Sequence, residues 1–269
     1  MSLNPPVTPV NRFPRSPLAL VVCQIQCEDL PAMATSQVML AIHQSLGGRR
    51  GPYPIAEQVN LNRLNIHISG PVPQPPATTV TKGWRLRSED RRWAITLLPD
   101  HVALETTNYT TWEEDFRTRI SALLDALTSQ GRPTIEQRLG LRYINRIADP
   151  GVATPTQLRE YIAPELLGMV LHQSLGEMVK GAQQQIELEA GEGIQVVMRH
   201  GFSRDEDRDG ALAYLLDFDI FRQGIQAFDV ADIRSSLDRF HGLALRLFQQ
   251  SLTEKMLAYL QESDATIDR

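Results

Sequence analysis

The stretch from Arg92 to Ile147 constrains the fold of this chain more than any other. Trp93, Ile95 and Leu97 alternate with Ala94, Thr96 and Leu98, the two-residue period of a strand. Pro99-Asp100 then supplies turn chemistry, because proline presets φ and the aspartate side chain can bond the backbone two residues on. Val102, Leu104 and Thr106 form one face of a return strand, so the segment reads as a hairpin. Thr110 or Thr111 is placed to cap a helix, with Glu113 and Glu114 in capping-box register. Trp112, Phe116, Ile120, Leu123 and Leu127 follow at helical spacing as one apolar stripe, with Trp112 expected as a core anchor. Gly131-Arg132-Pro133 stops the helix, and Leu139, Leu141, Tyr143, Asn145 and Ile147 share one face of a further strand.

The rest of the chain reads in the same vocabulary. Strands are expected at 18–28, 58–69, 80–87, 178–189, 194–203 and 211–222, with an exposed proline-rich loop at 70–79 and an acidic turn at 204–210. Helices are expected at 33–46, ended by Gly47-Gly48, in two short pieces after Thr154 and Pro164, and in a long one capped by Asp229 or Asp232. That last helix carries Ile233, Leu237, Phe240, Ala244 and Leu247 on its stripe, and the final residues are polar and expected to fray. Hairpin-connected strands favour an α+β fold of antiparallel sheet with long helices packed on it, in two sheets or one extended sheet. The order strand, helical insert, hairpin, capped helix occurs twice. It divides the chain at Asp149-Pro150-Gly151 into similar halves, 12–150 and 151–262, packed as one compact unit.

Length and charge narrow the function. A chain of 269 residues buries a core without disulfide or metal staples. A net charge of -5 gives no global attraction to nucleic acid or acidic membranes. Cys23 and Cys27 lie on one strand face, too far apart to bond each other. No apolar run is long enough for a membrane span or a signal h-region, so a cytoplasmic protein without a membrane partner is expected. The chain has no GxxxxGK[ST], no GxGxxG after a strand and no GxSxG, so the reading leans away from an enzyme and assigns no cofactor. Six histidines, none in HExxH, HxH or Cys-paired spacing, give no expected metal site, and His241 reads as a core-edge histidine bonded to a carbonyl. His101, in a hairpin turn, is expected to be exposed. Asp217 and Asp219 share a strand face, either as a like-charge pair with one raised pKa or as solvated groups.

Arg138, Arg142 and Arg146 recur every fourth residue, with Asn145 beside them and Glu105 on a strand that could be adjacent. Functionally this is an anion- or partner-binding face, because the guanidinium offers a planar bidentate fork. Structurally it is a ladder of Arg–Glu pairs. With only Glu105 and Glu136 as obvious local partners, Arg142 is expected to be paired within the fold and Arg146 to be the more available. A second basic group, Arg85, Arg87, Arg91 and Arg92, stands with Trp84 and Trp93 and would suit base stacking plus phosphate contact.

The segments ALETTNYTTWEEDF and RLGLRYINRI resemble a sporadically distributed bacterial family of proteins of comparable length whose members carry no assigned function. FPRSPLALVVCQIQCE looks like that family's opening strand and LDRFHGLALRLFQQSLTEKM like its closing helix, so the resemblance spans about Arg12 to Leu260. It implies a prokaryotic cytoplasmic protein of mobile or accessory gene clusters and brings no catalytic residues. The functional expectation is a non-enzymatic binding or regulatory partner of a defence or toxin-neutralisation system, with a protein partner. Two alternatives stand beside it: a small-molecule or nucleotide-binding protein or enzyme with a pocket between sheet and helix, and an RNA-binding subunit using the arginine faces.

Overall fold

The computed structural model describes residues 13–65, 77–148, 151–205 and 210–262. The expected proline-rich loop as far as Pro76, His67, the break at Asp149-Pro150, most of the acidic turn and the residues after Glu262 lie outside the described residues, while the last three residues of that expected loop belong to the strand that opens at Ala77. In chain order the elements are β1 (Leu18–Cys27), α1 (Ser36–Ser45), β2 (Ile55–Asn65), β3 (Ala77–Arg87), β4 (Trp93–Leu97), β5 (His101–Thr106) and α2 (Arg117–Ala126). There follow β6 (Ile135–Ile147), β7 (Ala182–Gly191), β8 (Ile194–Asp205), β9 (Ala211–Ala227), α3 (Val230–Gln250) and α4 (Glu254–Gln261). The strands form one sheet in the order β2-β3-β4-β5-β1-β6-β9-β8-β7. Every neighbouring pair is antiparallel, so the architecture is α+β. Strand β6 pairs with β1 on one side and β9 on the other, so the stretches before and after Asp149 share this sheet. Among the described helices α3, at 21 residues, is the long one, while α1 and α2 have 10 each.

Alternation decides which face of the sheet is covered. Val21, Cys23 and Ile25 of β1, Leu139 and Leu141 of β6, and Leu216, Phe218 and Ile220 of β9 all point to one side and are buried. Ile120, Leu123 and Leu124 of α2 and Ile233, Leu237, Phe240 and Ala244 of α3 close over them. Burial at this density drives the thiols of Cys23 and Cys27 up, the latter to about 12, so both stay protonated packing groups. Asp229 starts α3 by accepting hydrogen bonds from the Ala231 and Asp232 amides at 2.8 and 3.1 Å.

Two local readings change. The helix after Thr111 opens with a wide π turn, Trp112–Phe116, before settling into α2. The Phe116 amide bonds the Thr111 carbonyl at 3.2 Å, and the Thr110 hydroxyl donates to Asp115 at 2.9 Å, so the expected capping box does not form. Between β6 and β7 the two expected short helices are four 3-10 turns between Pro155 and Met178, broken up by Pro164, Gly168 and Gly176. Strand β7 accordingly begins at Ala182.

Candidate ligand-binding site

The two faces of β6 carry the candidate residues, and they differ in kind. On the open face the Arg142 Nε and one Nη donate to the Asp217 oxygens at 2.7 and 2.6 Å. Arg199 approaches the same carboxylate at 3.7 Å, and this hydrogen bonding raises the Arg142 pKa. One Arg138 Nη donates to both Asp219 oxygens at 3.0 Å, while its guanidinium lies over the Phe221 ring, 4.5 Å from the centroid. The register explains the choice of partner: β6 runs beside β9, with Arg142 directly opposite Asp219 and Ile144 opposite Asp217. Strand β1 separates β6 from β5, so Glu105 does not reach the arginines and pairs with Arg85. Asp217 and Asp219 are therefore neither an acid–base pair nor solvated; they are the arginine partners.

Glu136 is not a partner of this face either. A register shift in β6 turns it under α3, fully buried, where it accepts from Arg222 at 2.8 and 2.9 Å and from Gln226 at 2.5 Å. Arg222 also reaches Ser236 at 2.7 Å and Asp232 at 2.6 Å, locking the first turns of α3 to the sheet. Arg146 is exposed at the border of a shallow hollow of about 440 Å³ on the open face, shared with Arg199, Gln183, Gln185 and Ser203. In the second basic group Arg87 pairs with Glu57 at 3.5 Å, and the Trp84 indole donates to the Ala34 carbonyl at 3.0 Å. Trp93 is buried beneath the Arg119 guanidinium, 4.3 Å from its ring, so it presents no open stacking face, and Trp84 is half-buried.

The covered face holds something the arginine pattern does not announce. Asn145 points there, its amide donating to the Leu216 carbonyl at 3.3 Å. It stands at the edge of a cavity of about 420 Å³ bounded by β6, α3, the 109–114 segment and the 13–18 segment. Tyr143, one turn of the pleat away, places its phenol 2.9 Å from His241 Nδ1. The His241 ring lies flat on Trp112, centroids 4.6 Å apart and planes 7° from parallel. The Trp112 indole N–H donates to Asp238 at 2.9 Å, and Arg117 grips the same carboxylate at 2.8 and 3.0 Å. Tyr109 meets Tyr143 edge-on at 6.0 Å and closes the wall.

Burial sets the charge states. It depresses the His241 pKa to about 4 against the opposing pull of Asp238, so the imidazole is neutral at ordinary pH. It drives the phenols of Tyr109 and Tyr143 up, so both stay protonated. Burial also penalises the Asp238 carboxylate, but the hydrogen bonds from Arg117 and Trp112 outweigh it and the pKa falls below the usual range. The cavity thus presents neutral hydrogen-bonding groups (phenol, imidazole, amide) between aromatic walls.

No protein-family model matches this chain, and no curated protein does. The site therefore rests on its own geometry. Of the anion- or partner-binding residues expected from sequence, Asn145 lies at the cavity, while Arg138, Arg142, Arg146 and Glu105 lie on the opposite face. Trp112 is buried as a core anchor, and it is also a wall of the cavity. His241 bonds a phenol and not the expected carbonyl. His101 is half-buried against Asp100 at 2.9 Å, where exposure was expected. His200 is buried, 2.9 Å from the Tyr214 phenol. Among the described residues no group of three or more His, Cys, Asp or Glu is placed to hold a metal ion, and no helix is long and apolar enough to cross a membrane.

Proposed function

We propose that the protein binds a small organic molecule in the cavity between α3 and the sheet, without catalysis. The observation that carries this reading is convergence. Tyr143, Asn145 and His241 are polar residues on a largely apolar face, and all three border one cavity of ligand size. The segments 109–112 and 143–145, which carry the resemblance described above, meet there as well. Thermal melts with a panel of small aromatic fragments test it. Binding to the folded state raises the melting temperature by mass action. Leu245→Trp, which fills the cavity from a half-buried position on α3, should abolish the rise. Equal rises in both proteins contradict the proposal.

A second reading, a regulatory partner protein of an accessory bacterial system of the defence or toxin-neutralisation kind, is supported by two surface features. Met169, Leu171, Leu175 and Met178 stand exposed along the 3-10 turns, and Arg146 and Arg199 border the open-face hollow, where a partner's carboxylate would fit. This reading makes Arg146→Ala a loss of association without a loss of stability; the first makes the change silent in both. The RNA-binding alternative gains less, because Arg85, Arg87, Arg138 and Arg142 are each engaged with a carboxylate of the fold.

A further inference from the structure

Resting on the cavity reading, we infer that the ligand is an uncharged or cationic aromatic molecule and that the site rejects anions. Three observations point the same way. Among the described residues that line the cavity none is Lys or Arg, and the one imidazole, His241, is neutral. Glu113 and Glu114 stand exposed at the mouth, on the π turn that forms one wall. Behind that wall the Trp112 indole holds Asp238, and Arg117 is divided between Asp238 at 2.8 Å and Glu113 at 3.8 Å. The guanidinium nearest Glu113 in sequence is thus already committed to carboxylates of the fold. An anion entering such a site would lose its water without gaining a counter-charge, which is the costly way to bury charge.

The walls define the rest of the ligand. The rings of Tyr109, Tyr143 and Phe218 line the cavity beside Trp112, whose ring is already stacked with His241 and Phe116; they offer edge contacts to a flat ring and stabilise a nearby ammonium through the ring quadrupole. The polar groups among them, the Tyr143 phenol with His241 and the Asn145 amide, are neutral and able to meet a hydroxyl, amide or amine. This is the composition of a pocket that recognises a ring with a short polar or basic arm. It differs from a phosphate site in its charges: the helix turn that opens on it carries Glu113 and Glu114, and no guanidinium fork lines it among the described residues.

Calorimetric titration with three probes on one frame tests the inference: phenethylamine as cation, phenethyl alcohol as neutral form and 3-phenylpropionate as anion. Binding at this site is the part lost in Leu245→Trp. Ser16→Trp, which blocks the exposed mouth without touching the core, serves as the independent locator. The amine and the alcohol should each bind at least about tenfold more tightly than the carboxylate. Glu113→Gln combined with Glu114→Gln should narrow the gap between amine and carboxylate and leave the alcohol unchanged. Carboxylate binding at this site as tight as the alcohol's overturns the ligand class while leaving the cavity as the site. Loss of no probe's binding in either tryptophan variant, or heat from none of the three, overturns the cavity reading itself.

Discussion

The two faces of β6 carry similar numbers of polar side chains and use them in opposite ways. On the open face Arg138 and Arg142 are matched to Asp219 and Asp217 by the register with β9, so their forks are spent on holding the sheet together. On the covered face Tyr143 meets His241 and Tyr109, Asn145 donates to the Leu216 carbonyl, and both also border the cavity. Charge density alone would send attention to the first face. What separates a structural polar group from a functional one is whether its neighbours exhaust its bonding capacity or leave it facing a volume that a ligand could fill.

The largest expected effect breaks the comparison at the covered face. Trp112→Ala removes a buried aromatic, empties the wall shared with Phe116 and His241, and strips a donor from Asp238. It should cost about 3–5 kcal/mol in denaturant melts. An unchanged midpoint would mean that the 109–112 segment is not anchored to the core.

The next effect is a pH dependence. His241 has a folded pKa of about 4, below its ordinary 6.5, so the unfolded chain binds its proton more readily. Its contribution is fully present above pH 6.5 and is lost as pH falls from 6.5 towards 4, by up to about 3 kcal/mol. Comparing the wild type with His241→Phe at pH 7.5 and pH 4.5 isolates this part. A wild-type loss reproduced in full by the variant would assign it to other groups.

Smaller effects sharpen the open face. Arg142→Ala leaves Asp217, whose side chain is 3% exposed, with the 3.7 Å contact from Arg199 as its remaining ion pair among the described residues. A cost of about 2 kcal/mol is expected, below that of a fully buried pair because the arginine is 40% exposed. Arg146→Ala, at an exposed position, should stay within about 0.5 kcal/mol of wild type. Equal small losses for both would mean that the Asp217 pairing adds nothing to the sheet.

Period-two alternation made most of the strands legible, and helical stripes made α2 and α3 legible, because burial of one face is a local property of sequence. Strand order was not legible. Nothing in the residues says that β1 lies between β5 and β6, and this one fact takes Glu105 away from the arginines and gives them Asp217 and Asp219 from more than seventy positions on. The π turn at Trp112 was hidden too, since the same residues fit an ordinary capped helix. One trace of the cavity was in plain view: Tyr143 and Asn145 interrupt an otherwise apolar row between Leu141 and Ile147. Polar residues on a buried face need partners, and finding His241 as one of them required the packing of α3 across β6.

The most direct test of the central claim, that function sits on the covered face and structure on the open one, is a paired calorimetric titration. Phenethylamine is titrated into Leu245→Trp, altered in the cavity, and into Arg146→Ala, altered at the open-face hollow. Binding should disappear in Leu245→Trp and keep its wild-type affinity in Arg146→Ala. Retained binding in Leu245→Trp, with loss in Arg146→Ala, would contradict it and move the site to the other face of the sheet.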